Sequence, residues 1–212
     1  MSRFLCCLLS ITITGTMSEL VLKSRADWKA RPPTLVEPMT NPVPYVIIHH
    51  SYIPPACSST PECVAAMQRM QDMHQITNGW NDIGYHFAVG GDGNAYEGRG
   101  WSAVGAHAPR YNNISIGICV IGDWQAELPP PQQLEAVHKL IACGVEMGMI
   151  QEDYKLLGHR QVRDTECPGD RLFQEVTTWP HFHPMPRYRP KEEEKGSSGV
   201  DDNKLFFFKG KS

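Results

Sequence analysis

The chain has 212 residues, a formal net charge of −3 and an apolar share of 41%. This length carries one good core and not two, and the apolar share is ordinary for a globular protein. With neither a basic surplus nor a polybasic stretch, the charge pattern offers no footprint for nucleic acid or for an anionic membrane.

In chain order, Met1-Ser2-Arg3 and the short, mostly apolar stretch Phe4 to Gly15 come first. One positive charge, an apolar run and then small residues read as a secretory signal over 1–17. A disordered leader on a cytosolic protein is the other reading. The run is too short to span a bilayer comfortably, so no membrane anchor is expected and the mature protein is expected to be secreted. Tyr45 to His50 follows as the first clear strand. Cys57 and Cys63 flank a tiny loop at a helix start and are expected to form a disulfide in an exported protein. The helix begins at Thr60, read as the capping residue, with Pro61 at the first helical position. Val64, Met67 and Met70 mark its face, and Asn78-Gly79 ends it.

Further strands are expected at Tyr85 to Val89, Asn94 to Glu97 and Ser115 to Gly122. The first two of these flank the turn Gly90-Gly91-Asp92-Gly93, a strong hairpin signal. A second helix runs from about Pro131 to Met147, with Leu134, Val137, Ile141 and Val145 facing the core. A third spans Arg171 to Trp179. Cys119 and Cys143 read as core residues. The expected fold is α/β: a single domain, 18–183, with a central mixed β-sheet flanked by about three α-helices. From 184 to 212 the composition turns to prolines, a Lys-Glu run and Gly-Ser, a solvated and disordered tail.

The segment Gly158-His159-Arg160-Gln161-Val162-Arg163-Asp164-Thr165-Glu166-Cys167-Pro168-Gly169 carries the chemistry. It places a histidine and a cysteine on one loop, and imidazole and thiolate are both good zinc ligands. A third ligand is sought in the run that ends in His49 and His50. Neighbouring side chains on a strand face opposite ways, so both cannot reach one metal, and periodicity does not choose between them. A His/His/Cys set leaves one tetrahedral position open for water, as catalytic sites do. His74, His86, His107 and His138 read as structural histidines, and His181 and His183 as surface or end-packing residues.

Several segments, in order, resemble the peptidoglycan-recognition proteins, the animal relatives of zinc-dependent N-acetylmuramoyl-L-alanine amidases. They are Val46-Ile47-Ile48-His49-His50-Ser51, Gly79-Trp80-Asn81-Asp82-Ile83-Gly84-Tyr85, Tyr96-Glu97-Gly98-Arg99-Gly100-Trp101, Val104-Gly105-Ala106-His107 and the 158–169 segment. Ile121-Gly122-Asp123-Trp124 through Pro130, with Lys155-Leu156-Leu157-Gly158, is especially similar to the insect LB type. The resemblance covers roughly residues 23–183 and implies the peptidoglycan-recognition/amidase fold.

The resemblance implies one Zn2+ held by His49, His159 and Cys167, and catalytic roles for Tyr85 and Thr165. It implies hydrolysis of the lactyl amide of peptidoglycan and muropeptides, in innate immunity. Cysteine at position 167 favours the enzyme over its alternative, a non-catalytic peptidoglycan sensor. Gly79, Trp80 and Arg99 match residues that accompany preference for diaminopimelate-type stem peptides, whose extra carboxylate a guanidinium can grip. Many relatives pair a cysteine ahead of the Ser24-to-Trp28 region with one at position 143. Here only Cys6 or Cys7, if retained, could supply that partner, so the residues leave open whether Cys143 is paired.

Overall fold

The computed structural model describes residues 19–189. The segment read as a signal and the tail beyond 189 lie outside the described residues. Six strands form one mixed sheet: β1 (Leu22–Lys23), β2 (Val43–His50), β3 (Phe87–Val89), β4 (Ala95–Glu97), β5 (Ser115–Val120) and β6 (Ile150–Gly158). Their order is β1-β4-β3-β5-β2-β6. The β3–β4 hairpin is antiparallel, and the other neighbouring pairs are parallel. Parallel strands are covered on both faces and so read as continuous apolar runs. β5 fits this rule, with all its residues buried. β6 does not, and no strand was expected over its residues. Gln151, Glu152, Asp153 and Lys155 break its apolar pattern because it is the edge strand and exposes part of its length.

Three α-helices lie among the described residues: α1 (Thr60–Asp72), α2 (Pro131–Glu146) and α3 (Asp170–Val176). The cap of α1 is Ser59 rather than Thr60, with the Glu62 carboxylate accepting the Ser59 N–H at 3.2 Å. Cys57 and Cys63 form a disulfide across the helix start. Beyond Asp72 the helix continues as a π-helical turn, Met73–Thr77. α2 buries Ala136, Val137, Leu140 and Ile141, while Leu134 and Val145 sit at the flanks of that face. Cys143 lies off that face. It is half-buried and disulfide-bonded, which corrects its reading as a core thiol and answers the pairing that the sequence left open. None of the helices described is long and apolar enough to cross a membrane.

The sheet separates two cores. On one side Val46, Ile48, Phe87, Ile116, Ile118 and Val120 pack against α2 and α3. On the other, Ala88, Cys119 and Ile121 meet Met67 and Met70 of α1, together with Trp28 and Ile83. Strand alternation thereby assigns His49 to the α1 side and His50 to the α2 side.

An N-terminal strap closes the α1 side. Trp28 is fully buried and donates its indole N–H to the Glu97 carbonyl at 2.8 Å. Below it, buried Asp82 pairs with Arg25 at 2.9 Å, accepts from Gln71 Nε2 at 3.0 Å and caps the Ile83 N–H at 2.8 Å. One carboxylate thus joins the strap, α1 and the loop that leads to Tyr85. Replacing Asp82 with alanine strands these donors and the Arg25 charge, at an expected cost of about 3 kcal/mol. Denaturant unfolding checks this, and a loss below about 1 kcal/mol contradicts the anchoring role.

Candidate metal centre

The site is assembled at the carboxyl ends of the parallel strands, where open α/β sheets place their ligands. β2 and β6 run side by side with Ile48 opposite Gly158. The next residue on each is a histidine, so His49 and His159 emerge at the same level and on the same face. Their ring centroids are 4.3 Å apart. His50 points the other way, and its Nδ1 accepts the Trp124 backbone N–H at 3.4 Å. The geometry therefore selects His49, the choice that periodicity left open.

Cys167 arrives on the loop after the 3-10 turn His159–Gln161. The Arg160 N–H donates to the Cys167 carbonyl at 3.0 Å, and the Gly169 N–H to the Glu166 carbonyl at 2.8 Å. Gly169 has φ of +93°, and a Cβ there would lie 2.4 Å from the Trp124 backbone, so only glycine fits this turn. The sulfur lies 3.8 Å from His49 Nδ1 and receives the His50 backbone N–H at 3.3 Å. The donor atoms of His49, His159 and Cys167 all lie within 4.8 Å of one another.

Burial sets the charge state. His49 is held well below the usual imidazole range, first by desolvation and then by neighbouring His159 and His107. Burial, aided by Arg163 and His50, takes His159 down to about 3. Burial pushes the Cys167 thiol up to about 12, against the His50 N–H bond and Arg160. Both histidines are therefore neutral at pH 7, as a metal ligand must be, and the thiol would have to lose its proton to bind a cation. Both ring nitrogens of His159 are buried with no hydrogen-bond partner. Orphaned buried nitrogens beside a thiol are costly in a protein alone and fit a metal ion.

Tyr85 borders the donors, its ring centroid 5.2 Å from that of His49. Burial, with nearby Cys119 and Cys167, pushes its phenol well above the usual tyrosine range, so it stays protonated. Thr165 sits on the Cys167 loop, where its Oγ1 accepts the Cys167 N–H at 3.2 Å. Trp80 stacks on His74 at 4.7 Å, and His74 in turn meets Tyr85 edge-on at 5.6 Å. Gly79, with φ of +70°, turns the chain into Trp80. Arg99 donates to the Ile83 and Val104 carbonyls at 2.7 Å each, which clamps the loop ahead of Tyr85.

Two contributors escaped sequence reasoning. His107, read as structural, places Nδ1 2.9 Å from His49 Nε2. Residues 183–188, mostly assigned to the tail, lie along the 159–167 loop. Gln161 Nε2 donates to the His183 and Met185 carbonyls at 3.0 and 3.2 Å. Arg187 reaches the Thr165 carbonyl at 2.9 Å, and the Tyr188 N–H the Arg160 carbonyl at 2.9 Å. Backbone carbonyls make most of these contacts, so no side-chain pattern announced them.

Fold and site together define a class: an α/β domain with a buried His/His/Cys group at the carboxyl ends of parallel strands. A family model described as N-acetylmuramoyl-L-alanine amidase matches residues 39–170. Peptidoglycan-recognition protein LB of Drosophila melanogaster is 62% identical over 161 residues, 76% of this chain and 69% of that protein. The human N-acetylmuramoyl-L-alanine amidase is 44% identical over 78% of this chain, a match spanning 28% of the human protein. The solved structure of wild-type Drosophila PGRP-LB superposes with a TM-score of 0.76, covering 76% of this chain and 95% of that one at 62% identity. The chain belongs to the N-acetylmuramoyl-L-alanine amidase family and, within it, to the peptidoglycan-recognition proteins.

The buried histidines predict acid sensitivity. His74 and His86 lie outside the donor group, and burial takes each from 6.5 to about 3. A folded-state value below the unfolded one means that the unfolded chain takes up protons first. The stability from these two groups is complete above pH ~6.5 and is lost as pH falls toward ~3. Unfolding midpoints measured across that range with metal saturating should fall. A flat profile contradicts their neutral burial.

Proposed function

We propose that the chain is a secreted, zinc-dependent N-acetylmuramoyl-L-alanine amidase of innate immunity. Its substrates are peptidoglycan and muropeptides, preferentially of the diaminopimelate type. The observation that carries this reading is the buried convergence of His49, His159 and Cys167, with both nitrogens of His159 orphaned. Two imidazoles and a thiolate suit zinc, and three protein ligands keep a position open, as catalytic zinc sites do. A zinc ion held there supplies Lewis acidity, which polarises a carbonyl and brings the pKa of a water to ~7.

The remaining work falls to side chains of this chain. Protonated Tyr85 donates a hydrogen bond to the scissile carbonyl oxygen as it gains negative charge. Thr165 uses its oxygen to accept the Cys167 N–H, which leaves its O–H to orient the attacking water or a substrate oxygen. Trp80 offers an apolar wall continuous with Tyr85 through His74. The Arg99 N–H groups not used on carbonyls are left to meet the extra carboxylate of diaminopimelate.

Solved relatives support the ligand class. A variant of Drosophila PGRP-LB, 61% identical to this chain, was solved in complex with tracheal cytotoxin. Peptidoglycan recognition protein-LE, 44% identical, was solved with the same ligand, described as monomeric diaminopimelic acid-type peptidoglycan. Export is supported by the apolar N-terminal stretch and by the Cys57–Cys63 disulfide, a bond of oxidising compartments.

The test is release of stem peptide from diaminopimelate-type peptidoglycan with and without zinc, beside a Cys167→Ser variant. Zinc-dependent release that the variant abolishes is the expected result. Fragment binding without release by folded, zinc-loaded protein makes the chain a sensor instead. Tyr85→Phe is expected to lower kcat by ~10²–10³ through loss of one oxyanion donor, and an unchanged kcat removes that role. Arg99→Ala should lower the rate on diaminopimelate-type more than on lysine-type substrate. Equal loss on both leaves Arg99 as a loop clamp only.

A further inference from the structure

His107 is built into the fold as a partner for one particular atom. Asn112 Oδ1 accepts the backbone N–H groups of both His107 and Ala108 at 2.8 Å each, which fixes the loop. Two glycines make room for the ring. A Cβ at Gly117 would lie 2.5 Å from His107 Cγ and Nδ1, and one at Gly105 would lie 2.5 Å from its Cδ2. So placed, His107 Nδ1 stands 2.9 Å from His49 Nε2.

The proton positions follow from the far end of the chain of contacts. The Ser115 hydroxyl donates to the Tyr111 carbonyl at 2.7 Å, and a carbonyl can only accept. Its one proton is thereby engaged, so toward His107 Nε2, at 3.4 Å, the Ser115 oxygen can only accept. His107 then carries its proton on Nε2 and presents a bare Nδ1. His49 must donate Nε2–H to that nitrogen, which leaves the lone pair of His49 on Nδ1. This is the nitrogen that faces the Cys167 sulfur at 3.8 Å. His86, the other imidazole beside His107, does not compete, because its Nδ1 takes the Gly117 N–H at 2.9 Å and its Nε2 faces the Ala103 carbonyl at 3.0 Å.

We propose that His107 is a positioning residue of the metal centre. The relay Tyr111 carbonyl, Ser115, His107 fixes the tautomer and ring orientation of His49 so that Nδ1 is the metal donor. The proposal rests on the reading of His49, His159 and Cys167 as a zinc site. Metal-ligating histidines commonly donate their second N–H to a carboxylate, carbonyl or water; here a neutral imidazole fills that place and adds no negative charge to the site.

Two measurements test it. In metal-free wild-type protein with 15N-labelled histidine, two-bond 1H–15N correlation spectra report each tautomer. Both His49 and His107 are expected with the proton on Nε2, and a proton on His107 Nδ1 overturns the relay whether or not zinc binds. Zinc affinity is then measured by chelator competition. His107→Phe should weaken it by ~10–100-fold. His107→Asn, whose side-chain oxygen can stand near the Nδ1 position, should recover most of the loss. Equal affinity in wild type and His107→Phe overturns the positioning role. A wild type that binds no zinc fails the site reading itself, while the tautomers still judge the relay.

Discussion

The alignment of two parallel strands is the constraint on which the rest of the molecule depends. β2 and β6 pair so that Ile48 faces Gly158, and each chain continues into a histidine. A one-residue slip would turn the whole pattern over, sending His49 toward α2 and His50 toward the site. Burial of Val46 and Ile48 on the α2 side enforces the register, because a slip would move these side chains out of the core. Hydrophobic packing on one face of the sheet thereby specifies chemistry on the other. Cys167 is brought to the same point by a loop whose turn tolerates only glycine at position 169.

The second constraint is electrical. His49, His107, His86 and His159 lie together in the interior, and burial holds every one below the usual imidazole range. Cys167 is pushed the other way. The protein alone thus prefers a neutral site with orphaned nitrogens, which is expensive in a packed interior. A divalent cation that displaces the thiol proton would take up one of the two orphaned His159 nitrogens and pair with the thiolate, so the group suits a metal by the way it is unsatisfied without one. The partners of Cys167, a backbone N–H and nearby Arg160, favour the anion that metal binding creates.

Much of this was legible in the residues. Apolar runs marked β2 and β5, the glycine-rich turn marked the β3–β4 hairpin, and a capped amphipathic pattern marked α1. The His-x7-Cys loop offered two candidate metal ligands, and resemblance pointed to His49 as a third. What escaped depended on tertiary context. β6 is an edge strand in which the consecutive polar residues Gln151, Glu152 and Asp153 interrupt the alternation by which strands are recognised. His107 sits in a loop 58 positions from His49, and its role follows from contacts with glycines and Ser115 that no spacing encodes. The docking of residues 183–188 runs through backbone groups, to which composition is blind.

The most direct test of the central claim is the zinc K-edge absorption fine structure of the loaded protein. His49, His159 and Cys167 as ligands predict two nitrogen scatterers at ~2.0–2.1 Å and one sulfur at ~2.3 Å, with one further light atom. In Cys167→Ser the sulfur shell should vanish while the histidine signature persists. A wild-type spectrum without sulfur, or with more than one sulfur, would place the metal elsewhere and contradict the account.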